Sequence, residues 1–243
     1  MNYKFLFIVT SSIIPFKVGS FHSPQERFEQ TLDTIQSIRK RVPNSIIWIT
    51  ESSPVELPEK YSTELMKQSD YYVEHYDDEV LKQLYENLDK CPEKFDFGKS
   101  LLETRSLFNT FVQIKDIDFT RVFKISGRYT LNDEFNIGDY ESRVLNNYYV
   151  MQVHTMKDDM FNLLCGVEGQ VTTGLWSFDK SLLNETIQMY QKCFSYMDTM
   201  MSYTGGIDIE HSIYKWIDHK KIIKVPFLGV NRNHGPNGQV YPI

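Results

Sequence analysis

The chain opens with a run, Tyr3 to Thr10, that is apolar at nearly every position and has the length of one strand. A strand without alternation is one buried on both faces. The period then changes. Ser23, Pro24 and Glu26 in "SPQE" make a capping box with proline at the first helical position, and Phe28, Leu32, Ile35 and Ile38 follow at spacings of four and three. One buried helix face is expected there. "NSIIWIT", β-branched and ending at Glu51, predicts a second strand, and the proline-punctuated "ESSPVELPEK" a loop. A weaker helix, a third strand in "DYYVEH", helices over Asp78 to Leu88 and Lys99 to Ile114, and a strand over Arg121 to Ile125 complete the first half.

Strands that alternate with helices pair in parallel through right-handed crossovers, and ligands of such sheets sit at the carboxyl ends of the strands. That rule gathers Thr10, Ser11, Glu51 and Ser126 to Tyr129 on one rim. The second half is less regular. "NNYYVMQVHTM" and "GQVTTGLWSFD" read as strands, Lys180 to about Met201 as a long helix, and "GGIDIEHSIYKWI" as the opening of another. "KKIIKVPFLGV" reads as a last strand and "NRNHGPNGQVYPI" as a polar tail. No repeat or linker divides the 243 residues. The expectation is one α/β domain with a mostly parallel central sheet flanked by helices.

A net charge of −6, from 26 Lys+Arg against 32 Asp+Glu, argues against a nucleic-acid partner bound through a basic field. An anionic ligand would need a local basic pocket. Cys91, Cys165 and Cys193 are odd in number and form no CxxC, which fits buried thiols in a reducing, cytoplasmic setting. The N-terminal apolar run is broken by Thr10, Ser11, Ser12 and Pro15, so it reads as a first strand rather than a leader, and no transmembrane segment is expected.

Several motifs fail on inspection. "FGKS" at 97–100 would need glycine where Glu93 stands to be a phosphate loop, and there is no GxGxxG, GxSxG or HExxH. Asp116 and Asp118 in "DID" precede a strand and belong at the rim opposite the candidate site.

More informative is "FKISGRYTLNDEF", residues 123–135, where a buried strand runs into Ser126, Gly127, Arg128 and Tyr129. With "FLFIVTSS", "ERFEQTLDTIQSIRKRVP", "SIIWITESS" and "FGKSLLETRSLFN" in this order, the chain resembles the GT-A glycosyltransferases, family-2-like or polysaccharide-biosynthesis type. It lacks a standard Asp-x-Asp at the strand that ordinarily bears it. The resemblance implies a nucleotide-sugar half over about residues 1–135 and an acceptor half over about 136–243.

Where such enzymes use a cation, Lys124 and Arg128 would supply fixed charge to a diphosphate, and Gly127 would let the backbone approach it. The alternative is that Arg128 pairs with a neighbouring acid on a turn. Thr10, Ser11, Glu51, Arg105, Ser126 and His234 complete the implied donor-binding set, with Glu51 on the base or ribose. "TTGLWSFDKSLL" would shape the acceptor side. Glu210, or else Asp208, would be the catalytic base that a weakly nucleophilic hydroxyl requires, the alternative being an acidic first turn that stabilises a helix N-terminus.

The implied activity is transfer of a sugar from a UDP- or GDP-sugar to a glycan or lipid-linked hydroxyl, by inversion with the one base. No cofactor is certain, and Mn²⁺ or Mg²⁺ held by Asp133 or Glu134 is left open. Two rivals stand beside it: a sugar-phosphate nucleotidyltransferase, and a non-catalytic GT-A-like domain that binds a glycan or a partner protein.

Overall fold

The computed structural model describes residues 3–16, 22–91, 95–155, 160–203, 206–233 and 240–242. In chain order the strands and helices are β1 (Phe5–Ser11), α1 (Pro24–Arg41), β2 (Ile46–Glu51), α2 (Glu59–Gln68), β3 (Tyr71–Glu74), α3 (Glu79–Lys90), α4 (Phe95–Gln113), β4 (Arg121–Ser126), β5 (Tyr129–Leu131), β6 (Tyr149–Met151), β7 (Val153–Thr155), α5 (Met160–Cys165), β8 (Gly169–Val171), β9 (Leu175–Asp179), α6 (Leu183–Tyr203), α7 (Ile209–Trp216), β10 (Ile222–Lys224), β11 (Val230–Asn233) and β12 (Val240–Pro242).

Seven strands form the central sheet in the order β10-β6-β9-β4-β1-β2-β3. Pairing is parallel except on either side of β9, which runs against both β4 and β6. The expected mostly parallel α/β sheet is therefore present, in one domain. Its burial explains the unbroken apolar runs. In β1, Leu6 and Ile8 enter one core with α4, α6 and α7, while Phe5, Phe7 and Val9 enter a second with α1 and α2. β4 repeats this with Val122 on the first face and Phe123 and Ile125 on the other. Each face removes apolar area from water at roughly 25 cal/mol per Å². The first core spans Leu6 to Ile217 and so joins the N- and C-terminal halves of the chain.

Helix α1 starts where the capping box places it. Ser23 accepts the Glu26 amide, and the Glu26 carboxylate accepts the Ser23 amide at 2.7 Å. Asp78 caps α3 by its side chain alone, accepting the Leu81 amide at 2.9 Å. "FGKS" lies inside α4, which settles the phosphate-loop question against it. Asp118 pairs with Lys4 at the start of β1, at the rim opposite the carboxyl ends, as expected of "DID".

The second half departs from expectation at several places, "GQVTTGLWSFD" among them, which splits into β8 and β9 in different sheets. "NNYYVMQVHTM" breaks at Gln152, with β6 in the main sheet and β7 paired to β8. "KKIIKVPFLGV" is two strands, because Pro226 cannot donate to a ladder and Gly229 takes φ +71°. Its second part, β11, leaves the main sheet for a three-stranded antiparallel one in the order β12-β11-β5. The supposed polar tail thus carries β12. Among the described residues, no helix is long and apolar enough to cross a membrane.

Candidate functional site

The carboxyl ends of β1, β2 and β4 open into a cleft of about 280 Å³. Its walls come from Thr10, Ser11 and Ser12 after β1, Ser52 after β2, and Ser126, Gly127 and Arg128 after β4. α1 adds Arg27 and Thr31, α4 adds Lys99 and Glu103, and α7 adds Glu210. Thr173 and Gly174 lead into β9, whose reversed direction brings its amino end to this same rim. Arg232 arrives from β11, in register with Tyr129 of β5.

Three guanidinium groups therefore meet here. Among the described residues, Arg128 forms no ion pair with a carboxylate, so the turn-bound salt bridge considered from the sequence is not made. Arg27 donates to the Ser12 carbonyl at 2.8 Å. Burial, and secondarily the charge of Arg128 nearby, push its pKa down to about 10, which leaves it charged at neutral pH. Arg232 stands 6.0 Å from the Tyr129 ring centroid. Arg27 and Arg128 repel one another, and an anion beside them relieves that repulsion.

Gly127 also has a packing reason. A Cβ there would lie 2.9 Å from the Thr10 carbonyl and 2.9 Å from Thr31 Oγ1, and the Gly127 amide donates to that carbonyl at 2.8 Å. The glycine lets β4 leave the sheet close against the end of β1 and α1, while Gly127 itself still lines the cleft.

The acidic residues of the lining are connected to one another through Lys124 and Thr173. Lys124, 1% exposed, also lines the cleft, and its ammonium pairs with Glu103 at 2.6 Å and donates to the Thr173 carbonyl at 2.8 Å. Its charge is thus already matched by Glu103, unlike the fixed free charge expected for it. The Thr173 hydroxyl donates to Glu210 Oε1 at 2.6 Å. Burial first, then the charge of Asp208, raises the Glu210 carboxyl above the usual carboxylate range. Asp208 caps α7, accepting the His211 amide at 2.9 Å and facing His211 Nδ1 at 2.6 Å. It is not among the residues that line the cleft, so Glu210 is the better placed of the two candidate bases.

Other expected residues lie elsewhere. Glu51, 1% exposed, turns inward. Ile13 N donates to it at 3.1 Å and Ser53 N at 2.8 Å, so it presents no carboxylate to a ligand. Arg105 pairs with Asp78 at 3.0 Å away from the cleft. Asp133 pairs with Arg41 at the end of α1, and Glu134 borders a separate hollow with Phe135 and Asp139. These two carboxylates do not fit a metal centre for this cleft. Among the described residues, no group of three His, Cys, Asp or Glu side chains could hold a metal ion. His234 lies outside the described residues.

Arg27 and Arg232 were not anticipated. Arg27 looks like a surface cation on a helix, although its i,i+4 partner Thr31 shares its face beside the buried stripe. Arg232 sits in a polar stretch whose pairing with β5 spans roughly half the chain and leaves no local signal.

No family model matches the chain, and no curated protein matches it in sequence. Solved structures do match its fold. The apo form of the glycosyltransferase GlyE from Streptococcus pneumoniae TIGR4 aligns with a TM-score of 0.50 at 11% identity, over 92% of this chain and 46% of that one. A second GlyE crystal structure gives 0.48 at 10%, over 93% and 46%. The chain spans about half the length of these proteins, and at such identity the likeness is one of fold: a glycosyltransferase-like α/β sheet.

Proposed function

We propose that the chain is a GT-A-like glycosyltransferase of the cytoplasm that moves a sugar from a UDP- or GDP-sugar to a hydroxyl of a glycan or lipid-linked acceptor, with inversion. The observation that carries this reading is the lining of the cleft, which brings three guanidinium groups and a buried carboxyl into one hollow. Arg27, Arg128 and Arg232 line the same hollow as Glu210. Arginine forks suit the paired oxygens of a diphosphate leaving group, whose charge grows as the glycosidic bond breaks. Glu210 takes the acceptor proton as that hydroxyl attacks, and its raised affinity for protons makes it a stronger base than an exposed carboxylate. Lys124 acts indirectly in this scheme. It holds the Thr173 carbonyl while the Thr173 hydroxyl orients Glu210.

Thermal unfolding with a panel of nucleoside diphosphates and nucleotide sugars, in EDTA and in Mn²⁺, tests the donor site. A ligand at a hundred times its dissociation constant stabilises by about 2.7 kcal/mol. The expected result is a raised Tm with one UDP- or GDP-sugar, lost in Arg128→Ala. Comparison of the two buffers reports whether a divalent cation takes part. No shift with any nucleotide would remove the donor site. Binding with neither hydrolysis nor transfer would assign the chain to glycan or partner recognition instead.

A further inference from the structure

Glu51 is a carboxylate buried at the end of a strand, beside the cleft but outside its lining, and the proposed chemistry does not use it. Its surroundings show what it does. Oε1 receives the Ile13 amide at 3.1 Å, the Ser53 amide at 2.8 Å and the Ser53 hydroxyl at 2.5 Å, and Oε2 shares the Ile13 amide at 3.4 Å. Ser53 Oγ in turn accepts the Ile14 amide at 2.9 Å. The Ser52 amide and hydroxyl both donate to the Ser11 carbonyl, at 2.9 and 3.0 Å. These bonds lash the segment that leaves β1, residues 11–14, to the segment that leaves β2.

What that segment carries is cleft wall. Ser11, Ser12, Pro15 and Phe16 line the cleft, and Arg27 is steered into place by the Ser12 carbonyl. Phe16 stacks on Tyr85 of α3 at 5.5 Å, and the Tyr85 hydroxyl donates to the Ser52 carbonyl. One buried carboxyl group thus organises the amides of both loops, and through them an arginine and an aromatic pair.

We propose that Glu51 is a positioning residue for the nucleotide site: without touching ligand, it holds residues 11–16 in the conformation that binds a nucleoside diphosphate. This rests on the donor reading above and assigns to Glu51 a role different from direct recognition of base or ribose. The side chain suits the task because Oε1 takes three donors while Oε2 shares the Ile13 amide, toward which glutamine would turn its NH₂. A buried donor left without an acceptor destabilises the local structure, so the loop rather than the sheet should loosen.

The test joins two measurements on wild type and Glu51→Gln: calorimetric titration with UDP and with GDP, and amide hydrogen exchange of peptides covering residues 11–16 and 52–53. The expected result is at least a tenfold loss of nucleotide affinity together with faster exchange in both peptides. If affinity falls and exchange does not change, Glu51 contacts the ligand and the positioning role is overturned. Unchanged affinity, whatever the exchange, overturns it as well. If wild type binds neither nucleotide, the donor reading itself fails and takes this role with it, a result distinct from wild-type binding that the substitution leaves intact. Should Glu51→Gln not fold, Ser53→Ala removes the bridge from Glu51 to the Ile14 amide, and it must show the same two changes in smaller degree.

Discussion

Glu210 places opposing demands on stability and chemistry. Its carboxyl is raised by burial and by Asp208, so the folded state holds its proton more tightly than the unfolded chain does. Such a group weakens folding as pH rises from below its unfolded pKa to above its folded one. Glu210→Gln keeps an acceptor for the Thr173 hydroxyl and removes the buried charge. Thermal melts at pH 7 should therefore find this variant at least as stable as wild type. Turnover should fall by roughly 10²- to 10⁴-fold, the usual contribution of a positioned base. In wild type, activity should decline as pH drops through the folded pKa, at a higher pH than for an exposed glutamate. A variant that is less stable than wild type yet fully active would show that Glu210 is a structural acid.

Among the elements, the entry to β9 is the most constrained. A Cβ on Gly174 would collide with the ring of buried Tyr129, and Tyr129 begins β5, against which Arg232 of β11 is registered. Gly174→Ala must push that ring aside, at about 1–3 kcal/mol for overpacking of this kind. Chemical denaturation should show that loss, together with weaker nucleotide binding because Arg232 moves with β5. Such couplings mark the limit of what the sequence reveals. β1, β2 and β4 were legible because burial on both faces leaves an apolar run, and α1 because its capping box is local. The rim itself was legible, since strand ends are known once strands are. Glu51 was misjudged because an acid after a strand carries no sign of which way it will turn, and Lys124 because its partner Glu103 is on another element. Arg232 was missed since an antiparallel pairing across roughly a hundred residues is decided by the tertiary fold.

At the scale of the whole molecule, the chain carries −6 and would repel an anion at a distance, yet its cleft gathers Arg27, Arg128, Arg232 and Lys99. The attraction is therefore local, and the charge count on the ligand should decide affinity. Uridine, UMP and UDP form a series in which the nucleoside is constant and phosphate is added stepwise. If the arginine cluster receives a diphosphate, affinity should rise along the series, with the larger step at the second phosphate, and pyrophosphate alone should compete with UDP. Arg128→Ala and Arg232→Ala should each flatten the series while leaving uridine where it was. A series flat in wild type for uridine and guanosine nucleotides alike would mean that the guanidinium groups serve the fold or an acidic acceptor. Raising ionic strength from 0.05 to 0.5 M separates direct contact from field: a Debye length of about 10 Å at 0.1 M screens distant charges but not paired ones. The part of UDP affinity that survives salt is then the part made by direct hydrogen bonds in the cleft, and it is this part that the two alanine variants should lose.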